Sequence, residues 1–300
     1  MGWSVLLQAV ASLLAPVPAE GMQDLTPRQK AALVIVSGLP APKGVAGVIV
    51  RSYDRYLPRP RSALVLVDQE GRGAKAFDDL PPHRSASSYS RASEAVAAGR
   101  ATGRALRREG VDVDLAPVVD LAGGPLGSRH FRRPALALAF ARGLDRTGTA
   151  SCAKHFPGLG WAPRSTDESP HVRARLVGRE IAAFQAAWRA GMPCVMVSHA
   201  FYPSFGRRRA SFSPQAYRLL RGLGFQGVAI TDSVSVFGSS EAVPSALKAA
   251  RAGADLILFT NGRDAARAIR ALIPLARRGL LDDNVERVLE LRLSLGLARP

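Results

Sequence analysis

Thr149-Ala150-Ser151-Cys152-Ala153-Lys154-His155-Phe156-Pro157-Gly158-Leu159-Gly160 is the stretch on which the fold turns. Its first five residues are small or apolar, as in a strand buried on both faces, and the Pro/Gly turn stops that strand at once. Ligands of parallel α/β proteins bind at the carboxyl edge of the sheet, and that is where this strand leaves Lys154 and His155. The loop that follows, residues 161–171, carries Asp167, Glu168 and His171. A strand-end Lys-His pair followed by a loop of proton donors reads as an active site.

Seven further short runs flank this one, giving eight in all at 33–38, 47–50, 63–69, 113–119, 151–156, 193–200, 227–233 and 255–259. Most are rich in Val, Ile, Leu and Ala without polar alternation, the mark of strands covered on both faces. Amphipathic patterns at 92–109, 135–147, 178–190, 214–223 and 244–252 separate them, and 282–297 reads as a closing helix packed on the outside. Eight runs with intervening helices predict an α/β fold, a single-domain (β/α)8 TIM-type barrel. The barrel is expected over residues 25–300, after an N-terminal extension at 1–24.

Composition narrows the class. At 300 residues and 47% hydrophobic content the chain can bury a large core. The formal net charge of +17 is mostly arginine. A nucleic-acid binder would concentrate such charge on one element and interleave aromatics. Here the arginines, such as Arg100, Arg104, Arg107 and Arg108, sit on helical patterns and aromatics are only 6%, so no nucleic-acid partner is expected. The solvated-face reading leads, and attraction to an anionic polymer is its rival. Cys152 and Cys194 lie in apolar runs and read as small core residues, with no disulfide framework or metal site. The apolar start lacks a basic n-region and Gln8 interrupts it, so a cytoplasmic location is expected, with a leader and export as the alternative. No stretch predicts a transmembrane segment.

Polar residues gather where the runs stop: Asp68-Gln69-Glu70, Asp120, Lys154-His155, Ser198-His199 and Thr231-Asp232-Ser233. Five consecutive strands hand such groups to one rim, which core packing gives no reason to do, because each is costly to bury unpaired. No HExxH, phosphate loop or G-x-S-x-G elbow is present. A rim of carboxylates with Lys, Arg and His donors suits a polyhydroxylated ligand and the cleavage of a glycosidic bond.

The same residues form an ordered series that resembles the catalytic barrel of glycoside hydrolase family 3, in its single-domain β-N-acetylhexosaminidase branch. Asp68-Gln69-Glu70-Gly71 looks like the family's sugar-binding motif, the segment 110–120 resembles its next block, and Leu126-Gly127-Ser128-Arg129-His130-Phe131 is similar to its IGDRSF segment. Lys154-His155-Phe156-Pro157-Gly158 matches its hallmark, followed by blocks at 196–199, 224–233 and 252–258. The resemblance implies a retaining hydrolase of terminal β-linked sugars such as N-acetylglucosamine, with Asp232 as nucleophile and no cofactor or metal. Asp68, Arg129, Lys154, His155 and His199 would bind the carbohydrate substrate, and the protein would act as a monomer. Asp232 is also supported directly, since a carboxylate that follows an apolar strand is held rigidly.

Departures from the family pattern fall at Leu159 and Ser128 and in the acid/base loop. The branch carries Asp-Ser-His there, whereas this chain reads Asp167-Glu168-Ser169, with Ser169 in the place of the acidic His. A serine hydroxyl is too weak an acid for that role near neutral pH. Three readings stand: His171 serves with Asp167 as partner, Glu168 or Asp167 donates directly, or the barrel binds sugar or cell wall without efficient turnover. A β-glucosidase or a phosphorylase of the same family are further alternatives.

Overall fold

The computed structural model describes residues 20–169 and 171–297. Among the described residues ten strands form: β1 (Ile35–Ser37), β2 (Gly47–Ile49), β3 (Leu64–Val67), β4 (Gln69–Gly71), β5 (Ala74–Lys75), β6 (Val113–Asp114), β7 (Ala150–Phe156), β8 (Cys194–Val197), β9 (Val228–Thr231) and β10 (Ile257–Leu258). Eight of them make one parallel sheet in the order β10-β1-β2-β3-β6-β7-β8-β9, and a parallel bridge from Ile230 to Leu256 joins its two ends. The sheet is thereby a barrel, as the eight apolar runs predict. Strands β4 and β5 form a separate antiparallel hairpin on the rim.

The helices are α1 (Glu20–Gln23), α2 (Pro27–Leu33), α3 (Ala92–Arg108), α4 (Pro134–Asp145), α5 (Gly178–Arg189), α6 (Pro214–Gly222), α7 (Ala242–Ala252), α8 (Gly262–Arg277) and α9 (Asp282–Ser294). The alternation is less regular than expected, because no α-helix separates β1 from β2 or β2 from β3. Alternate strand residues face two cores. Val48, Val65, Val195 and Ala229 pack outward against the helices, while Leu64, Leu66, Met196 and Ile230 pack together inside the barrel.

Two expectations are corrected here. The last helix does not simply lie on the outside: Val288 and Leu291 of α9 join the inner cluster, and Arg292 donates to the Ala46 carbonyl at 3.2 Å. Helix α9 therefore seals one end of the barrel. Cys152 and Cys194 are not separate core residues but a disulfide. Register causes it: the two cysteines are direct partners on the parallel neighbours β7 and β8, both facing the inner core, with Cα atoms 4.3 Å apart. Of the N-terminal extension, residues 1–19 lie outside the described residues. Among the described residues no helix is long and apolar enough to cross a membrane.

Candidate active site

Strand β7 delivers Lys154 into the barrel mouth, two residues after the inward-facing Cys152. Its ammonium lies 2.6 Å from Asp68 Oδ1 and 2.6 Å from Glu70 Oε1. Arg129 completes the group by donating from Nε and Nη2 to the two Glu70 oxygens at 2.7 and 2.8 Å. This bidentate fork fixes Glu70 in orientation as well as charge. Lys154 and Glu70 are buried, whereas the Asp68 side chain is 48% exposed and is the member of the network open to a ligand. Burial opposes ionisation of Glu70, but Lys154 and Arg129 outweigh it and push the carboxyl down to about 2. Burial likewise opposes the Lys154 charge, and Asp68 and Glu70 reverse that, holding the ammonium above its ordinary range.

Gln69 anchors the hairpin that carries these carboxylates. Its Nε2 donates to the Phe77 and Pro81 carbonyls at 2.9 Å each, its Oε1 accepts from Phe77 N, and its own N–H donates to Asp114 Oδ1. Burial pushes the Asp114 carboxyl up to about 8.

His155 is held by Asp120, whose Oδ2 accepts from its backbone N–H at 3.0 Å and lies 2.9 Å from its Nδ1. A carboxylate only accepts, which puts the imidazole proton on Nδ1. Asp120 Oδ1 also accepts from Leu159 N at 2.8 Å. The Leu159 side chain is fully buried in the outer core. Beneath the turn, Glu180 of α5 accepts from Gly160 N at 2.6 Å and Leu121 N at 3.3 Å. A Cβ on Gly158 or Gly160 would come within 2.5 Å of the Glu180 carboxyl, which is why glycine occupies both positions.

Asp232 follows β9 directly. Its Oδ1 accepts from Ser233 N at 2.8 Å, and Thr166 Oγ1 lies 3.4 Å from its Oδ2. Burial resists its charge, but the His199 and His155 imidazoles, the Ser233 N–H and the Lys154 ammonium together lower the carboxyl below its ordinary value. His199 is buried, with Nδ1 2.7 Å from Ser211 Oγ. Burial pushes its imidazole down in spite of Asp232.

The loop after β7 is only partly drawn in. Thr166 reaches Asp232, and Asp167 lies 3.6 Å from Arg129 Nη1 with its side chain 60% exposed. Glu168 is exposed. His171 is exposed too, and lines a rim groove with Arg173, Phe201, Pro203, Gly206 and Arg207. The structure thus brings Asp68, Arg129, Lys154, His155, His199, Asp232 and Asp167 to one rim, and leaves Glu168 and His171 on its margin. Sequence reading placed Glu70 at the rim but did not name it as a residue of the site. Its signal was present, a second carboxylate two residues after a strand-end Asp.

The family model for the glycosyl hydrolase family 3 N-terminal domain matches residues 49–291. A β-hexosaminidase of Stenotrophomonas maltophilia is 32% identical, the alignment covering 71% of each chain. Among solved structures, the β-N-acetylhexosaminidase of Beutenbergia cavernae superposes with a TM-score of 0.77 at 26% identity, over 89% of this chain and 98% of that one. A family 3 β-N-acetylglucosaminidase of Paenibacillus shares the fold at 24% identity and a TM-score of 0.79, over 92% of this chain and 64% of its own.

Proposed function

The chain belongs to the glycosyl hydrolase family 3 N-terminal domain family, and from that premise we propose that it is a retaining glycoside hydrolase releasing terminal β-linked N-acetylglucosamine. The ionised Asp232 attacks the anomeric carbon and forms a glycosyl ester as the glycosidic C–O bond breaks. A donor on the 167–171 loop gives its proton to the leaving oxygen. Water then attacks the anomeric carbon, giving its proton to that same group, now acting as base, as the bond from that carbon to the Asp232 oxygen breaks and frees the carboxylate. Asp68, backed by Lys154, Glu70 and Arg129, accepts from sugar hydroxyls, and His155, held by Asp120, adds a further polar contact to the sugar.

The observation that carries this reading is the 3.4 Å contact of Thr166 with Asp232, which supports a proton donor drawn from the same loop. A chromogenic β-N-acetylglucosaminide tests it. Asp232→Asn is expected to lower turnover at least about a thousandfold, and NMR of the first-formed sugar should show the β-anomer. Sugar binding with no turnover in the wild type would overturn the enzyme in favour of a binding barrel, a reading favoured by Ser169 at the usual acid position. The donor is assigned by His171→Ala, Asp167→Asn and Glu168→Gln. A rise in kcat in Ser169→His would mean that none of the three does the work well.

A further inference from the structure

Four arginines of α3, assigned above to solvated helix faces, converge in the structure with a fifth. Arg100, Arg104, Arg107 and Arg108 line a groove of about 540 Å³ together with Arg146 and Thr147, which follow α4. A second groove of about 420 Å³ continues it along α3, past Arg100 and Arg104 to Val96, Ala97 and Ser93. Its walls are fixed, because α3 and α4 touch backbone to backbone. A Cβ on Gly99 would lie 2.0 Å from the Phe140 carbonyl oxygen, and one on Gly143 would lie 2.2 Å from that of Val96. The arginines occupy the C-terminal half of α3, which leads into the start of β6, so the groove lies toward the barrel end opposite the Lys154 rim.

Carboxylates are almost absent from it. Arg107 pairs with Asp112 at 2.8 Å, but among the described residues Arg100, Arg104, Arg108 and Arg146 have no carboxylate partner. Nearby Glu109 is taken up by Arg55, at 2.7 and 3.1 Å. Like charges at i,i+4 on a helix repel, and among the described residues no carboxylate pairs with Arg100, Arg104 or Arg108 to offset that cost. An external anion would.

We propose that this groove binds a linear phosphodiester-linked polymer, one phosphate to each successive guanidinium. Positions 100, 104 and 108 rise about 6 Å apart along the helix, close to the repeat of an extended phosphodiester chain. The planar guanidinium fork suits phosphate oxygens. Among the described residues no aromatic side chain lines either groove, so the unpaired bases of a single strand have no stacking platform. A concave surface without large apolar residues does not insert into a lipid interface.

Binding is measured apart from turnover, so it stands or falls independently of the glycosidase reading. Full-length protein is titrated with poly(glycerol phosphate), duplex DNA and phosphatidylglycerol vesicles over a range of salt. Poly(glycerol phosphate) should bind best, with log K falling against log salt at a slope of about −3, as expected for roughly four phosphates. Arg100→Gln with Arg104→Gln and Arg108→Gln should weaken it at least about tenfold and bring the slope near −1. Aryl-glycosidase activity or, if there is none, the unfolding midpoint should not change. Arg270→Gln with Arg277→Gln and Arg278→Gln removes the same charge elsewhere and should have little effect. Equal losses in the two triple variants would overturn the groove, and tighter binding of DNA or vesicles would overturn its ligand.

Discussion

Glu180 lies under the turn that follows Lys154-His155 and ties two rim loops through Gly160 N and Leu121 N. Burial, with Asp120 adding to it, pushes its carboxyl up to about 7, and its Oε2 is buried without a partner. Because the folded-state value is raised above the ordinary one, the folded protein holds an extra proton between about pH 4 and 7 and loses stability as pH rises through that window. Glutamine keeps an accepting oxygen and cannot ionise. Glu180→Gln should therefore match the wild type near pH 4 and exceed it by roughly 2 kcal/mol at pH 8, read from urea midpoints at each pH. A constant difference across pH would refute the assignment. Glu180 was not legible as part of the site, since nothing in a helical Glu says which loop lies above it. Asp68, Lys154, His155 and Asp232 were, because each ends an apolar run. Arg129 could be named only through the motif around it, as its partner Glu70 is distant in sequence.

At the scale of elements, the apolar runs located all eight barrel strands, but not their lengths. The run 113–119 yields only the two residues of β6, with a further bridge from Val118 to Lys154. Pro117 within it has no N–H to give a ladder. Helix α8 was not anticipated, and it carries Pro274 inside it, a poor helix signal. The Cys152–Cys194 link was hidden for another reason: pairing depends on the register of two strands 42 residues apart in sequence, which periodicity does not report. That link joins the strands leading to Lys154-His155 and to Ser198-His199. Closing a loop of this length restricts the unfolded chain, and the chain-entropy model gives about 4 kcal/mol. Cys152→Ala with Cys194→Ala should lose up to about that amount, and reductant should lower the unfolding midpoint of the wild type but not of the double variant. Insensitivity of the wild type to reductant would mean the two thiols are not joined.

For the whole molecule, the consequence of a closed barrel is an inner core that helices on the outer wall cannot cover. The Lys154–Glu70–Arg129 network occupies the mouth, and helix α9 occupies the other end, where Val288 is fully buried and Leu291 is 6% exposed. The last helical pattern was legible from its spacing, while its place was not, because an amphipathic stripe fits a barrel floor as well as an outer wall. The two positions make different demands. A helix on the wall covers part of one strand pair, whereas a helix at the floor touches an inner cluster with residues from all eight barrel strands, so its loss should be felt by the barrel as one cooperative unit. Leu291→Asp puts a charge into that cluster and removes a buried leucine, a cost of about 3–5 kcal/mol. Leu293, two positions along the same helix and 39% exposed, provides the matched control. Leu293→Asp should stay within about 0.5 kcal/mol of wild type. Both are read by urea unfolding monitored by tryptophan fluorescence and by circular dichroism. The two probes should give coincident transitions for Leu291→Asp at a much lower urea concentration. Separate transitions, with the barrel signal unmoved, would show that α9 is an appendage and not the floor.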